Sequence, residues 1–309
     1  MELDLHDRFR GSLVGLAVCD AIGTTVEFRA RGSFKPLTDM VGGGPFRLKP
    51  GEWTDDTSMA LCLAASLLET RSFNPSDQLL RYCRWAETGY MSSTGECFDI
   101  GSTTSGALHR FRRDGSVLAN HASTSEANGS IMRLAPIPIA FSGDPKLAVH
   151  LSGESSRTTH GSEVCVDCCR LLGAIIVRSL AGTPKEQLLS FDQGIFGETP
   201  LCAKVAGVLS SPDKNPQEIR GTGHALRCLE AAIWAFFRTE TFKDGALAAV
   251  NLGDDADTTG AVYGQIAGAY YGASSIPSHW LALLAKQDLI TDLVEGLWGV
   301  RDELVASMR

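Results

Sequence analysis

Apolar residues recur along this chain at the three-to-four-residue spacing of helices, in segments parted by short polar or glycine-rich stretches. Strictly alternating runs bounded by turns are scarce. The spacing predicts a mostly α-helical protein, with helices over about 7–24, 57–70, 75–88, 102–113, 145–153, 161–181, 199–208, 222–237, 243–250, 258–272, 280–287 and 289–306. No shift in composition marks a boundary, so residues 1–309 read as one domain.

Two of these helices carry small residues at every fourth position: Gly11, Gly15, Cys19 and Gly23 in one, Gly260, Gly264, Gly268 and Gly272 in the other. A glycine inside a helix costs about 1 kcal/mol relative to alanine, so the repetition predicts that another backbone presses close there. Tyr263, Gln265, Tyr270 and Tyr271 interrupt the second stripe, which argues against a membrane helix. If the two stripes face each other, Asp20 and Glu27 approach the acidic segment at 254–259. The polar loops are 41–45, 92–95, 123–130 and 210–216. The last, with Pro212, Asp213, Lys214, Asn215 and Pro216, reads as surface turn chemistry without a role.

Composition narrows the function classes. A chain of 309 residues with 44% hydrophobic content can bury a substantial core, and a net charge of -8 argues against partners held by a basic surface, such as nucleic acid or an anionic membrane. The N-terminal stretch Met1 to Asp7 lacks the positive and apolar regions of a secretory signal, and no run of about 18 consecutive apolar residues occurs, so a cytoplasmic location is expected. Nine cysteines, an odd number scattered through helical segments, fit reduced and buried thiols. Cys165, Cys168 and Cys169 lie at helical spacing with no second ligand pair nearby, which points to a helix core rather than half of a zinc site.

The chemistry concentrates in two clusters roughly two hundred residues apart, Trp53-Thr54-Asp55-Asp56-Thr57 and Asp254-Asp255-Ala256-Asp257-Thr258-Thr259, each opening an apolar helix. Either cluster alone is explained by helix capping. Brought together, they form an all-oxygen site for one or two hard divalent cations, because like charges do not gather in an interior without a counter-ion. Neither cluster has the ligand ladder of an EF-hand.

With Cys19-Asp20-Ala21-Ile22-Gly23-Thr24-Thr25-Val26-Glu27-Phe28, Trp53 to Met59, Asn128-Gly129-Ser130-Ile131-Met132-Arg133 and Asp255 to Gly260 standing in this order, the sequence resembles the ADP-ribosylglycohydrolases, in particular the branch of the dinitrogenase reductase activating glycohydrolase. The resemblance implies a compact all-α, orthogonal multi-helix bundle whose central cleft holds a dinuclear metal centre of Mg²⁺ or Mn²⁺. It implies hydrolysis of the bond joining ADP-ribose to an acceptor, with ADP-ribose as product.

Carried over by position, Thr54, Asp55, Asp56, Asp255, Asp257 and Thr258 are the implied metal ligands, with Asp257 bridging. Glu27, Asp55, Asp56 and Asp257 are the implied catalytic acids. The segment from Ser125 to Arg133, with Ser125, Asn128, Gly129 and Ser130, is the implied diphosphate loop, and His160 stands beside the ligand. Asp99 and Glu126 resemble acidic positions of the arginine-specific branch, where a carboxylate pairs with a guanidinium. An ADP-ribosylated protein with an arginine acceptor is thus the favoured substrate, and an ADP-ribosyltransferase the opposing enzyme. Hydrolysis of serine-linked or other O-linked ADP-ribose is the alternative within enzymes. An immunity protein that occludes an ADP-ribosyltransferase toxin is the alternative outside them, and the full ligand set argues against a purely structural relative.

Overall fold

The computed structural model describes residues 4–119 and 124–308; Met1–Leu3, Asn120–Ser123 and Arg309 lie outside the described residues, so the first residue of the 123–130 loop is not placed. The α-helices are α1 (Leu5–Gly23), α2 (Asp55–Thr70), α3 (Pro75–Thr88), α4 (Ser102–Asp114), α5 (Pro136–Ala140), α6 (Pro145–Arg157), α7 (Glu163–Leu180), α8 (Ala203–Ala206), α9 (Ala225–Phe237), α10 (Phe242–Val250), α11 (Ala256–Tyr271), α12 (Ser278–Leu283) and α13 (Gln287–Ser307). Among the described residues there is no strand, only the isolated bridges Gly43↔Leu48 and Ala127↔His224. The all-α expectation holds.

Helix starts follow local chemistry. Asn74 and Asp144 accept hydrogen bonds from Asp77 N and Leu147 N, each with proline following at the first helical position, and Ser162 caps α7 through Cys165 N. The buried face of α7 includes Cys165, Cys168 and Cys169, and all nine cysteines are free thiols.

At the centre α1 and α11 run antiparallel, backbone against backbone. A Cβ built on Gly11 would stand 2.1 Å from Gly268 O, one on Gly264 2.1 Å from Gly15 O, and one on Gly23 2.4 Å from Ala256 O. The two stripes therefore do face each other, and the glycines are required by proximity. The Ser12 hydroxyl donates to Gln265 O across the same seam (3.0 Å). The segment Leu5–Val26 is long and apolar enough to cross a membrane by length and composition, yet 89% of its apolar window is buried inside the protein. Gly272, which the stripe includes, instead closes α11 with a φ of 82°.

Two expected helices are corrected, and two local features are added. The α5 turn carries Pro136 and Pro138, which mask helical periodicity, and all five of its residues are buried. The helix expected over 199–208 is only α8, continuing as a 3₁₀ run over Gly207–Asp213. The 210–216 loop is the surface turn expected, and it is tied to α9: Lys214 pairs with buried Glu230, and its carbonyl accepts from Trp234 Nε1 (3.3 Å). The helix expected over 280–287 stops at Leu283, and Lys286 takes a left-handed conformation (φ 46°) before α13.

The long connection from α1 to α2 is tied to the α10–α11 corner. Phe28 N donates to Asp254 O (2.7 Å) and Asp254 N to Arg29 O (2.8 Å), while Asn251 bonds Leu37 in both directions. This pairing holds Glu27 over the start of α11.

Candidate metal centre and cleft

The first acidic cluster is built by a cap supplied from another helix. Thr54, the N-cap of α2, makes no side-chain cap of its own. Instead Asp20 of α1 takes the exposed donors: Oδ1 accepts from Thr54 N and Oγ1 (3.0 Å each), and Oδ2 accepts from Thr57 N (3.0 Å) and Oγ1 (2.6 Å). With its capping duty met by Asp20, the first turn of α2 is free to present Asp55 and Asp56, both buried.

The second cluster arrives through α11. Asp255 N donates to Gly221 O (2.9 Å), its Oδ2 accepts from Asn128 Nδ2 (3.0 Å), and Asp257 follows in the first helical turn. The clusters touch: Thr54 Oγ1 lies 3.3 Å from Asp257 Oδ2, and Thr258 Oγ1 lies 3.3 Å from Asp56 Oδ1. One oxygen each from Glu27, Asp99 and Asp257 come within 4.8 Å of one another.

Burial, with repulsion among neighbouring acids, raises most of these carboxyls above the ordinary carboxylate range. Burial, then Asp99, raises Glu27 to about 9, and burial, then Asp255, raises Asp99 to about 7. Asp20 is raised to about 6 by burial, restrained by its bonds from Thr57 and Thr54. Asp55, Asp56 and Asp257 are pushed well above the carboxylate range, again by burial first and then by neighbouring acids. Yet Glu27 Oε2, Asp56 Oδ2 and Asp257 Oδ1 are buried and accept no hydrogen bond. Buried oxygens without donors, in an all-oxygen set, fit a hard divalent cation, which would supply the missing charge.

Beside the acids opens a cavity of about 310 Å³. Glu27, Asp55, Asp99, Asp255 and Thr258 line one wall; Asn128, Gly129, Met132, His160 and Thr104 line the other. Gln265 Nε2 fastens the second wall to α11 by donating to Ile131 O and Met132 O (3.0 Å each). At the mouth stands Phe28, 67% exposed and left-handed (φ 61°), in ring contact with Phe46, which contacts Phe98. A larger cleft, about 590 Å³, lies between α6, α7 and residues 195–199. It contains none of the clustered acids, and the ion pairs Arg170–Asp167 (2.6 Å) and Arg157–Glu154 (2.9 Å) neutralise part of its charge, so size does not mark the site.

The structure brings the implied metal ligands Thr54, Asp55, Asp56, Asp255, Asp257 and Thr258 together, with Glu27 and Asp99 against them. Asn128, Gly129 and His160 face the cavity. Three others do not line it: Ser125 bonds Thr103 Oγ1 (2.7 Å), and Ser130 accepts from Ser156 Oγ (3.0 Å) behind the loop. Glu126 is engaged at the rim by His224 (2.8 Å) and Lys204 (3.3 Å) rather than aimed into the cavity. Asp20 and Arg133 carry structural weight at the site that their sequence positions alone do not reveal. The one hint for Asp20 is its place next to Cys19 of the small-residue stripe, which predicts its approach to the acidic segment at 254–259 but not its capping of α2.

The family model described as ADP-ribosylglycohydrolase matches residues 1–305. The chain is 41% identical over 305 residues to ADP-ribosylarginine hydrolase Tri1 of Serratia proteamaculans (strain 568), covering 98% of this chain and 82% of that protein. It is 31% identical over 288 residues to the ADP-ribosyl-[dinitrogen reductase] glycohydrolase of Rhodospirillum rubrum, with 91% of each covered. A solved structure titled ADP-ribosylglycohydrolase-related protein complex superposes with a TM-score of 0.84 at 40% identity, covering 96% of this chain and 99% of that one.

Proposed function

Because the chain belongs to the ADP-ribosylglycohydrolase family, we propose that it removes ADP-ribose from modified arginine side chains of proteins, cleaving the N-glycosidic bond with two divalent cations, Mg²⁺ or Mn²⁺. The observation that carries the reading is the convergence of Glu27, Asp99 and Asp257 beside buried carboxylate oxygens that lack any donor. Relatives named for the arginine linkage support the choice of acceptor.

Thr54, Asp55, Asp56, Asp255, Asp257 and Thr258 would hold the cations, which would supply Lewis acidity toward ribose hydroxyls and water. Glu27 and Asp55, which line the cavity, orient a water toward the anomeric carbon. As the bond to the guanidine nitrogen breaks, positive charge spreads over the ribose C1 and ring oxygen, and the clustered carboxylates stabilise it. The departing nitrogen keeps the bonding pair, and the proton lost by the water ends on the guanidine. Asp99 pairs with the guanidinium on the acceptor side. Asn128 and the neighbouring loop N–H groups receive the diphosphate.

The test is release of ADP-ribose from arginine-modified and serine-modified proteins in the presence of Mn²⁺. Turnover confined to the arginine substrate is expected; turnover confined to the serine substrate would replace the acceptor assignment and leave the metal site standing.

A further inference from the structure

Arg133 is fully buried, and no carboxylate pairs with it among the described residues. Its Nη1 donates to Gly129 O (2.8 Å), and its Nη2 donates to Thr159 Oγ1 (2.7 Å) and Thr158 Oγ1 (3.3 Å). The guanidinium lies over the Tyr82 ring (4.7 Å), and its Nε has no acceptor. A guanidinium does not lose its proton in a protein, so a full positive charge sits in the interior answered only by neutral oxygens and a ring face. Such a charge is unfavourable unless something else completes its pairing. The charged side chains that line the cleft, Glu27, Asp55, Asp99 and Asp255, are all acidic.

The charge is wired to the cavity. Thr159 Oγ1, already accepting from Arg133, lies 2.8 Å from His160 Nδ1, and its hydroxyl proton has no other acceptor. Arginine can only donate, so the arrangement that satisfies every group has the Thr159 hydroxyl donating to Nδ1. The ring proton then resides on Nε2, for which no hydrogen-bond partner is found among the described residues. Burial, reinforced by Arg133, holds His160 down at about 3, so the ring is neutral. Its Cε1–Nε2 edge faces Gly129: a Cβ there would stand 2.9 Å from Cε1 and 3.1 Å from Nε2.

We propose that Arg133 is a positioning residue: through Thr159 it fixes His160 as an Nε2–H donor at the diphosphate end of the cleft, and it backs the receiving loop with a permanent positive charge. The diphosphate of ADP-ribose supplies the counter-charge that the protein omits. The inference rests on the functional reading above for the identity of the ligand, and on hydrogen bonding alone for the ring.

The experiment uses the full-length protein labelled with ¹⁵N-histidine, with two-bond nitrogen–proton correlations reporting the His160 tautomer and calorimetry reporting ADP-ribose affinity. The parent should carry the proton on Nε2. Thr159→Val, nearly isosteric, should mix the tautomers, weaken ADP-ribose about tenfold and raise KM more than it lowers kcat, as expected for one lost hydrogen bond to a charged ligand. Thr159→Ser should restore both readouts, and Arg133→Lys should retain more affinity than Arg133→Gln because it keeps the charge. A packing defect alone would lower the thermal midpoint without moving the tautomer or being rescued by serine. A parent protein with the proton on Nδ1, or a Thr159→Val protein that binds ADP-ribose as tightly as the parent, would overturn the relay. A parent that does not bind ADP-ribose would instead overturn the functional reading, and the diphosphate role with it.

Discussion

Thr57 gives both its N–H (3.0 Å) and its hydroxyl (2.6 Å) to Oδ2 of Asp20, a residue 37 positions earlier on a different helix. The start of α2 is thereby anchored to α1, and α1 is locked to α11, which bears Asp257. One carboxylate so couples the two halves of the acidic cluster without lining the cleft.

Removing that carboxylate should loosen the centre. Losing a cap costs about 1 kcal/mol, and each buried donor left without an acceptor costs about 1–3 kcal/mol. Asp20→Ala should lower the thermal midpoint by several degrees and weaken Mn²⁺ binding in a calorimetric titration, with Asp20→Asn intermediate because it keeps one carbonyl oxygen. An Asp20→Ala protein that melts and binds like the parent would remove Asp20 as the organiser.

The backbone seam makes an opposed prediction for two glycines. By helix propensity alone, Gly→Ala in a helix stabilises by about 1 kcal/mol. At Gly299, exposed on α13 with nothing within 4 Å of a built Cβ, that sign should hold. At Gly264 the new Cβ would meet Gly15 O at 2.1 Å, and overpacking of this kind costs about 1–3 kcal/mol or more. Thermal melts of Gly264→Ala and Gly299→Ala should therefore shift in opposite directions; equal shifts would mean that α1 and α11 separate easily.

The acid cluster also fixes a pH dependence for the metal-free protein. Folding raises Asp20 to about 6, Asp99 to about 7 and Glu27 to about 9, so between about pH 4 and these values the folded state binds more protons than the unfolded chain. Stability from this cluster is fully present below the unfolded carboxyl range and is lost as pH rises through the raised values. In chelator, the thermal midpoint should fall between about pH 5.5 and 8.5, and Mn²⁺ should flatten or reverse the slope by replacing the protons. A metal-free midpoint that rises over this interval would contradict the clustering of protonated acids.

A buried acid of the proposed metal site and a neutral histidine should fail differently. If Asp257 holds the proposed cations, Asp257→Ala should cut turnover about a thousandfold at saturating substrate. If His160 is a donor to the ligand, His160→Ala should act about tenfold, chiefly through KM. Equal losses in steady-state kinetics would count against the role proposed for Asp257.

The helices and the two acidic clusters were readable because their signals are local: apolar spacing, cap residues and adjacent aspartates survive without tertiary context. The α1–α11 seam was readable too, since glycines at every fourth position have no other economical explanation. What the chain order hides is partnership across space. Nothing near Asp20 shows that it caps α2, and nothing near Glu126 shows that His224 and Lys204 engage it. Ser130 sits in the expected loop, yet the turn that exposes Gly129 directs its hydroxyl back toward Ser156. The prolines of α5 and the 3₁₀ run over Gly207–Asp213 escape periodicity for the same reason: packing, not spacing, shapes them.

Distant acids converge in this fold, and the proposed function has them hold divalent cations that act on an ADP-ribosyl bond. The most direct measurement is the rate of ADP-ribose release from an arginine-modified protein, first with Mn²⁺, then in excess chelator, then with Mn²⁺ restored. Turnover should vanish in chelator and return with the metal. Undiminished turnover in chelator would contradict it.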